Sequence, residues 1–453
     1  MTPAGSYCVV GGGISGLTAA YRLRVAVGDD ATITVFDPAD RLGGVLRTEP
    51  VGGQPMDLGA EAFVLRRPEV PALLAELGLS GRQRSTTGAR PLIYSQQRLH
   101  PLPSDTVAGI PSSATSLAGL VDGATIARME AEPTRPLRWQ AGSDPAAAEL
   151  VADRFGEQVV ARSVDPLLGG VYAGAAATIG LRAAAPSVTA ALDRGAGSLT
   201  DAVRQGLPPA DGGPVFGALQ GGYQVLLDEL VRRSRPRWVR AAIEKIGHGW
   251  ELYDETGARW HADAVILAVP APRLARLIDG LAPRSFAAAS RITSASSVVM
   301  ALAVPGNTAL PECSGVLVAT GEPVHAKAVT LSSRKWGTAG DVALLRLSFG
   351  RFGDDLAGRA SDEELLAWAV DDLATVFGVA VDVLDVRVRR WMDAMPQYGP
   401  GHAELVAELR AGLPPTLAVA GSYLDGIGVP ACIAAAGRAV AGVLEAVDAQ
   451  VAR

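Results

Sequence analysis

A chain of 453 residues, 48% hydrophobic and 19% charged, is globular in composition, and at about 150 residues per domain it should form two or three cores. Its net charge of −6 speaks against the basic surface a nucleic-acid binder needs, and no uninterrupted run of about 18 apolar residues marks a membrane span. Cys8, Cys313 and Cys432 are odd in number and far apart, which argues against disulfides and zinc; with no room for a signal peptide before the first strand, a cytoplasmic protein is expected.

Tyr7 to Val10 is an apolar run of strand length, and Gly11, Gly13 and Gly16 follow it at G-x-G-x-x-G spacing. Ile14 and Ser15 open a helix to about Val27, with Leu17, Ala20, Tyr21 and Leu23 near helical period. Ile33 to Phe36 alternates as a second strand and ends in Asp37. Strand, glycine turn, helix, strand and acid together predict dinucleotide binding. The glycines permit the turn and the backbone approach to a pyrophosphate, the free N–H groups at the helix start favour the anion, and Asp37 accepts from ribose hydroxyls.

Arg41 beside Gly43 and Gly44 offers a fixed cation and bare backbone, and Gly59-Ala60-Glu61 follows after Met56-Asp57-Leu58. Joined to the first motif, this resembles the extended FAD fingerprint of glutathione-reductase and amine-oxidase type flavoproteins. The resemblance implies noncovalent FAD. It also implies an α/β fold, α+β overall, with a discontinuous Rossmann-like FAD-binding domain, a mixed-sheet substrate domain and a helical insertion.

Between 65 and 205, Pro, Ser and Thr punctuate helical patches such as Ala146 to Arg154 and Gly156 to Ser163, the latter expected to stop at Pro166. The run Asp165-Pro166-Leu167-Leu168-Gly169-Gly170-Val171-Tyr172-Ala173-Gly174 resembles the helical-domain signature of the oxygen-dependent porphyrinogen oxidases of haem biosynthesis. Trp238 to Ile246 and Trp250 to Tyr253 read as a hairpin about Gly247-His248-Gly249, and His261 to Leu267 as a buried strand. Ser297 to Val304, Ala326 to Ser332, Val342 to Phe349 and Val386 to Trp391 read as strands of a second sheet. Leu331 to Trp336, Leu345-Arg346 with Gly350 to Asp354, and Trp391 to His402 match further segments of the same family. Leu417 to Ala420 is a strand, Gly421 begins the loop after it, and Ile427-Gly428-Val429 leads into a helix from about Pro430 to Val447. The positive end of that helix suits negative charge on a reduced flavin.

Carried over residue by residue, the resemblance implies adenine pairing by the backbone of Ile243 and a tryptophan, Trp391, beside the flavin. It divides the chain into an FAD-binding domain (1–75, 206–288, 406–453), a substrate domain (76–110, 289–405) and a helical insertion (111–205). It implies six-electron oxidation of a porphyrinogen by molecular oxygen, with peroxide formed. The lack of a spanning segment favours the four-carboxylate coproporphyrinogen III over protoporphyrinogen IX, with peripheral membrane contact and a homodimer left open. An amine oxidase or desaturase and a non-catalytic FAD scaffold are the competing readings. Arg66, Arg67 and Lys335 are candidate cations for the carboxylates, and Tyr172 in the signature is a candidate substrate contact. Glu61 stands where the family often has Asp or Arg. No catalytic side-chain base is identified: His402 reads first as a structural histidine.

Overall fold

The computed structural model describes residues 5–209, 213–338 and 340–451. Its first sheet has five parallel strands in the order Arg237–Val239, Thr32–Phe36, Ser6–Val10, Ala264–Leu267, Leu417–Val419. Parallel strands are covered on both faces, so their apolar runs are near continuous. Ala264–Leu267 is buried at every position. One face packs Val9, Ile33 and Val35 against Leu23 of the helix Ile14–Val27 and Val440 of the helix Val429–Val451. The other packs Cys8, Val10 and Val265 against Leu274 and Leu409 of the helices Ala271–Ile278 and His402–Ala411. Chain segments far apart in sequence thus build one sheet.

The second sheet is mixed and seven-stranded, ordered Asp385–Pro396, Ser294–Pro305, Val342–Phe349, Ala328–Thr330, Gly315–Val318, Leu92–Ser95, Arg98–Pro101. Only the pairing of Gly315–Val318 with Leu92–Ser95 is parallel. Strand alternation sends Val298, Met300, Leu302, Leu345, Leu347 and Phe349 to one core with Leu365, Ala369 and Leu373 of the helix Asp362–Phe377. That helix begins with a capping box, Ser361 and Glu364 bonding each other's backbone N–H. The opposite face carries Arg346, Arg389 and Trp391 toward residues 49–59.

Short helices between Gly123 and Gly206 form a third core around Val151, Phe155, Val164, Leu181, Leu192 and Val203. A fully buried ion pair organises it: Arg154 Nε donates to Glu132 Oε1 at 2.8 Å, and Glu132 also accepts from the N–H groups of Leu199 and Thr200.

Two expectations are corrected. Pro166 does not stop its helix: helical backbone runs from Glu157 through a wider π-helical turn, Val160–Val164, directly into Asp165–Tyr172, and that turn is where the helix accommodates the missing N–H. The extended run 238–246 splits. Arg237–Val239 joins the parallel sheet, whereas Ile243–Ile246 starts a separate antiparallel sheet with Glu251–Asp254 and Arg259–His261. The helix Val429–Gln450 is long and apolar enough by composition to cross a bilayer, but Arg438, Glu445 and Asp448 interrupt it and 56% of its apolar window is buried against the protein, as in a core helix.

Candidate active site

The glycine turn sits at the carboxyl end of the central strand, as a nucleotide site in an open parallel sheet requires. Gly11 adopts φ +106, and a Cβ on Gly16 would stand 1.8 Å from the Gly11 carbonyl oxygen, so only glycine lets the helix pack this close. Asp37 ends the second strand. Its Oδ2 accepts from Gly12 N at 2.7 Å and its Oδ1 from Ala39 N at 3.0 Å, which fixes the carboxylate at the strand tip.

The Arg41 loop lies directly against this turn, Gly43 N donating to Gly12 O at 2.8 Å. Arg41 gives its Nη groups to the carbonyls of Leu42, Gly44 and Leu46, while its buried Nε has no partner among the described residues. The guanidinium therefore braces its own loop. At the C-terminal end of the chain, Val429, Cys432 and Ile433 pack against Ile14 and Leu17, so the N-termini of both long helices meet beside the glycine turn. Gly428 is exposed, Ile427 is half-buried, and buried Gly421 is backed by the Tyr423 ring.

The segment ending at Glu61 joins the two sheets. A Cβ on Gly59 would lie 1.6 Å from Val45 O. Gly59 O accepts from Arg346 Nη2 at 2.5 Å and Leu58 O from Trp391 Nε1 at 2.8 Å, with the Trp391 ring half-buried. Ala60, half-buried, packs on the cluster containing Leu46 and Leu227. Glu61 is buried and accepts from Lys335 Nζ at 2.7 Å, Trp336 Nε1 at 2.9 Å and Ser332 Oγ at 3.0 Å. Burial pushes its carboxyl up, but the Lys335 and Arg346 charges and these hydrogen bonds outweigh that and hold it at about 2. Nearby Asp57 caps the helix Gln224–Ser234 through Tyr223 N; burial, larger than its hydrogen bonds from Thr48 and Tyr223, raises it to about 6.

The other candidates are not all gathered here. Ile243 is buried, and its carbonyl accepts from Arg273 Nη2 at 2.6 Å. Arg66 and Arg67 are exposed, and Arg67 pairs with Glu69 at 2.5 Å. Lys335 is committed to Glu61. Tyr172 lies in the helical core and donates to Ala183 O at 3.2 Å. His402 stacks on Tyr398 at 3.8 Å and bonds Tyr423 O at 2.9 Å, contacts of a structural residue; burial lowers its pKa. Sequence reasoning gave no individual role to Arg346, Arg351 or Gln397, whose burial is decided by distant partners. An open groove of about 430 Å³ is lined by Arg410, Leu417 and Arg438 on the outer side of the sheet edge, and none of the candidate residues lines it.

The family described as flavin containing amine oxidoreductase matches residues 14–444. The chain is 80% identical to the coproporphyrinogen III oxidase of Mycobacterium tuberculosis over 453 residues, covering 100% of both. It is 75% identical to that of Mycobacterium leprae over 451 residues, covering 99% of both. The crystal structure of a putative protoporphyrinogen oxidase from Exiguobacterium superposes with a TM-score of 0.87 at 27% identity, covering 97% of this chain and 99% of that one. A glycine turn at the carboxyl end of a parallel sheet, a mixed second sheet and relatives matched along the whole length agree: the chain belongs to the flavin-containing amine oxidoreductases and, within them, to the coproporphyrinogen III oxidase family.

Proposed function

We propose that this chain oxidises coproporphyrinogen III to coproporphyrin III with noncovalently bound FAD, using three molecular oxygen and forming three hydrogen peroxide, as a cytoplasmic step of haem biosynthesis. The observation that carries the reading is the 80% identity across the whole length to a protein of that name. When bound, FAD supplies the two-electron acceptor that ordinary side chains lack.

The residues present fit such a group. Gly11 and Gly13 leave bare backbone for the pyrophosphate, Ile14, Ser15 and Gly16 bring the helix start to it, and the unpartnered Nε of Arg41 adds a cation braced by Gly43 and Gly44. Asp37 is fixed to receive ribose hydroxyls, and Ile243 is assigned to the adenine. Gly59, Ala60, Glu61 and Trp391 are assigned to the ring system, where Arg346 holds the Gly59 carbonyl in place. Gly421 and the Ile427, Gly428 and Val429 helix start supply positive dipole at its pyrimidine edge. No side-chain acid–base pair is assigned.

The test is a paired aerobic assay of coproporphyrinogen III and protoporphyrinogen IX, following porphyrin fluorescence and peroxide together with flavin absorbance. Preferred turnover of the four-carboxylate substrate with three peroxides per porphyrin is expected. Preference for protoporphyrinogen IX would correct the substrate, and no turnover of either by a yellow protein would leave only the flavin fold.

A further inference from the structure

The turn from Phe349 to Asp354 carries one cation, Arg351, and holds a second, Lys327, through its carbonyls; no carboxylate of the described residues pairs with either. Lys327 is 7% exposed, and its Nζ bonds only carbonyls, Gly350 O at 2.5 Å and Phe349 O at 3.4 Å. Arg351 is half-buried, its side chain makes no hydrogen bond among the described residues, and its Nη1 is sealed from solvent. The two nearest acids are already engaged. Asp165 accepts from Ala176 N at 2.7 Å and Thr320 Oγ1 at 3.0 Å, and Asp354 accepts from the backbone N–H groups of Arg351 and Leu356. A desolvated charge without a direct partner is costly and is retained where an anion completes it.

The position of Arg351 says which anion. The turn bridges the seven-stranded sheet and the helical layer, Phe352 N donating to Ala173 O at 2.6 Å. The guanidinium lies against Gly169, where a Cβ would stand 2.6 Å from Nη1. Five positions earlier, on the strand Val342–Phe349 that leads into this turn, Arg346 touches the Gly59 loop, so Arg351 follows directly on the strand that reaches the loop assigned to the flavin.

We propose that Arg351 receives a carboxylate of the substrate at the seam between the seven-stranded sheet and the helical layer, with Lys327 as a positioning residue that holds the turn through the Gly350 carbonyl. This rests on the porphyrinogen reading above. Arg351 acts in binding and selectivity: the guanidinium offers paired N–H groups to a carboxylate and nothing to an ester of equal size in charge terms.

The experiment compares the FAD-loaded wild type, Arg351→Gln, Arg351→Lys and Lys327→Met on coproporphyrinogen III and on its tetramethyl ester, with flavin content and melting temperature recorded for each. Arg351→Gln is expected to lower kcat/KM for the free acid by about 10- to 100-fold, mostly through KM, with a much smaller change for the ester. Arg351→Lys, which keeps the charge, should recover part of the loss, and Lys327→Met should show a smaller loss also confined to the acid. Equal losses on acid and ester, or a fall in melting temperature with the acid-to-ester ratio unchanged, would overturn the proposal in favour of a structural arginine. If Arg351→Gln does not fold, the ratio in Arg351→Lys decides the same question. A wild type that oxidises neither porphyrinogen refutes the functional reading itself, an outcome separate from a wild type that turns over both with a ratio Arg351 does not affect.

Discussion

Lys335 and Glu61, 274 residues apart in sequence, meet in an ion pair of 2.7 Å that ties the second sheet to the segment following Gly59. Because the folded carboxyl sits at about 2 against an ordinary value of 4.5, the contribution of Glu61 is complete above about 4.5 and is lost as pH falls from there toward 2. Glu61→Gln leaves Lys335 and Arg346 facing an uncharged group, and should cost about 3 kcal/mol near neutral pH. Urea denaturation at several pH values checks this; a difference from wild type that persists undiminished at about pH 3 would contradict it.

The glycine turn separates two steric roles. A Cβ on Gly16 collides with the Gly11 carbonyl at 1.8 Å, whereas one on Gly13 finds its nearest neighbour, Gly44 Cα, at 3.9 Å. Gly16→Ala should therefore disturb the fold, lowering the melting temperature of the apoprotein by several degrees. Gly13→Ala should fold and yet bind FAD at least about tenfold more weakly, because the second glycine clears the approach to the pyrophosphate. Flavin absorbance per chain beside circular dichroism distinguishes them, and full flavin in Gly13→Ala would count against the site.

Trp391 gives its only N–H donor to Leu58 O at 2.8 Å, one residue before Gly59. Trp391→Phe removes that bond while keeping an aromatic ring, at a cost of about 1 kcal/mol. The expected signature is a shifted flavin absorbance band and a lower kcat with flavin content retained. An unchanged spectrum and rate would place the ring away from the flavin.

In the helical layer, Glu132 and Arg154 are buried as a pair, and Glu132 also caps the helix Leu199–Gly206 through two N–H groups. Removing the acid with Glu132→Ala leaves a buried guanidinium and two unpaired N–H groups, a loss of about 3–5 kcal/mol. Flavin should still bind, since none of the residues assigned to it comes from this layer. Calorimetry with flavin titration tests the separation, and loss of flavin affinity in proportion to stability would show that the layers fold as one unit.

The first strand, turn and helix were legible because their signals are local: glycine spacing, apolar period and the acid at the strand end act within about 30 residues, and the helix runs Ile14–Val27 as its pattern says. The run 238–246 was not legible in the same way. Both of its halves are extended, and which sheet each enters depends on whether Val35 or Asp254 lies beside it, residues not local to the run. Pro166 misled for a related reason: a π turn upstream changes which N–H the helix needs.

Residue type and order by themselves determined the dinucleotide turn, the two classes of sheet and the family resemblance, since each rests on spacing that the chain carries wherever it folds. Tertiary structure alone decided which charges are free. Arg67 and Lys335 looked available as carboxylate receptors and are occupied by Glu69 and Glu61, whereas Arg351, one arginine among many in sequence, is left without a hydrogen-bonding side-chain partner among the described residues, beside Gly169. An ionic partner is set by distances of a few ångströms between segments hundreds of residues apart, and burial multiplies the consequence of having one or lacking it.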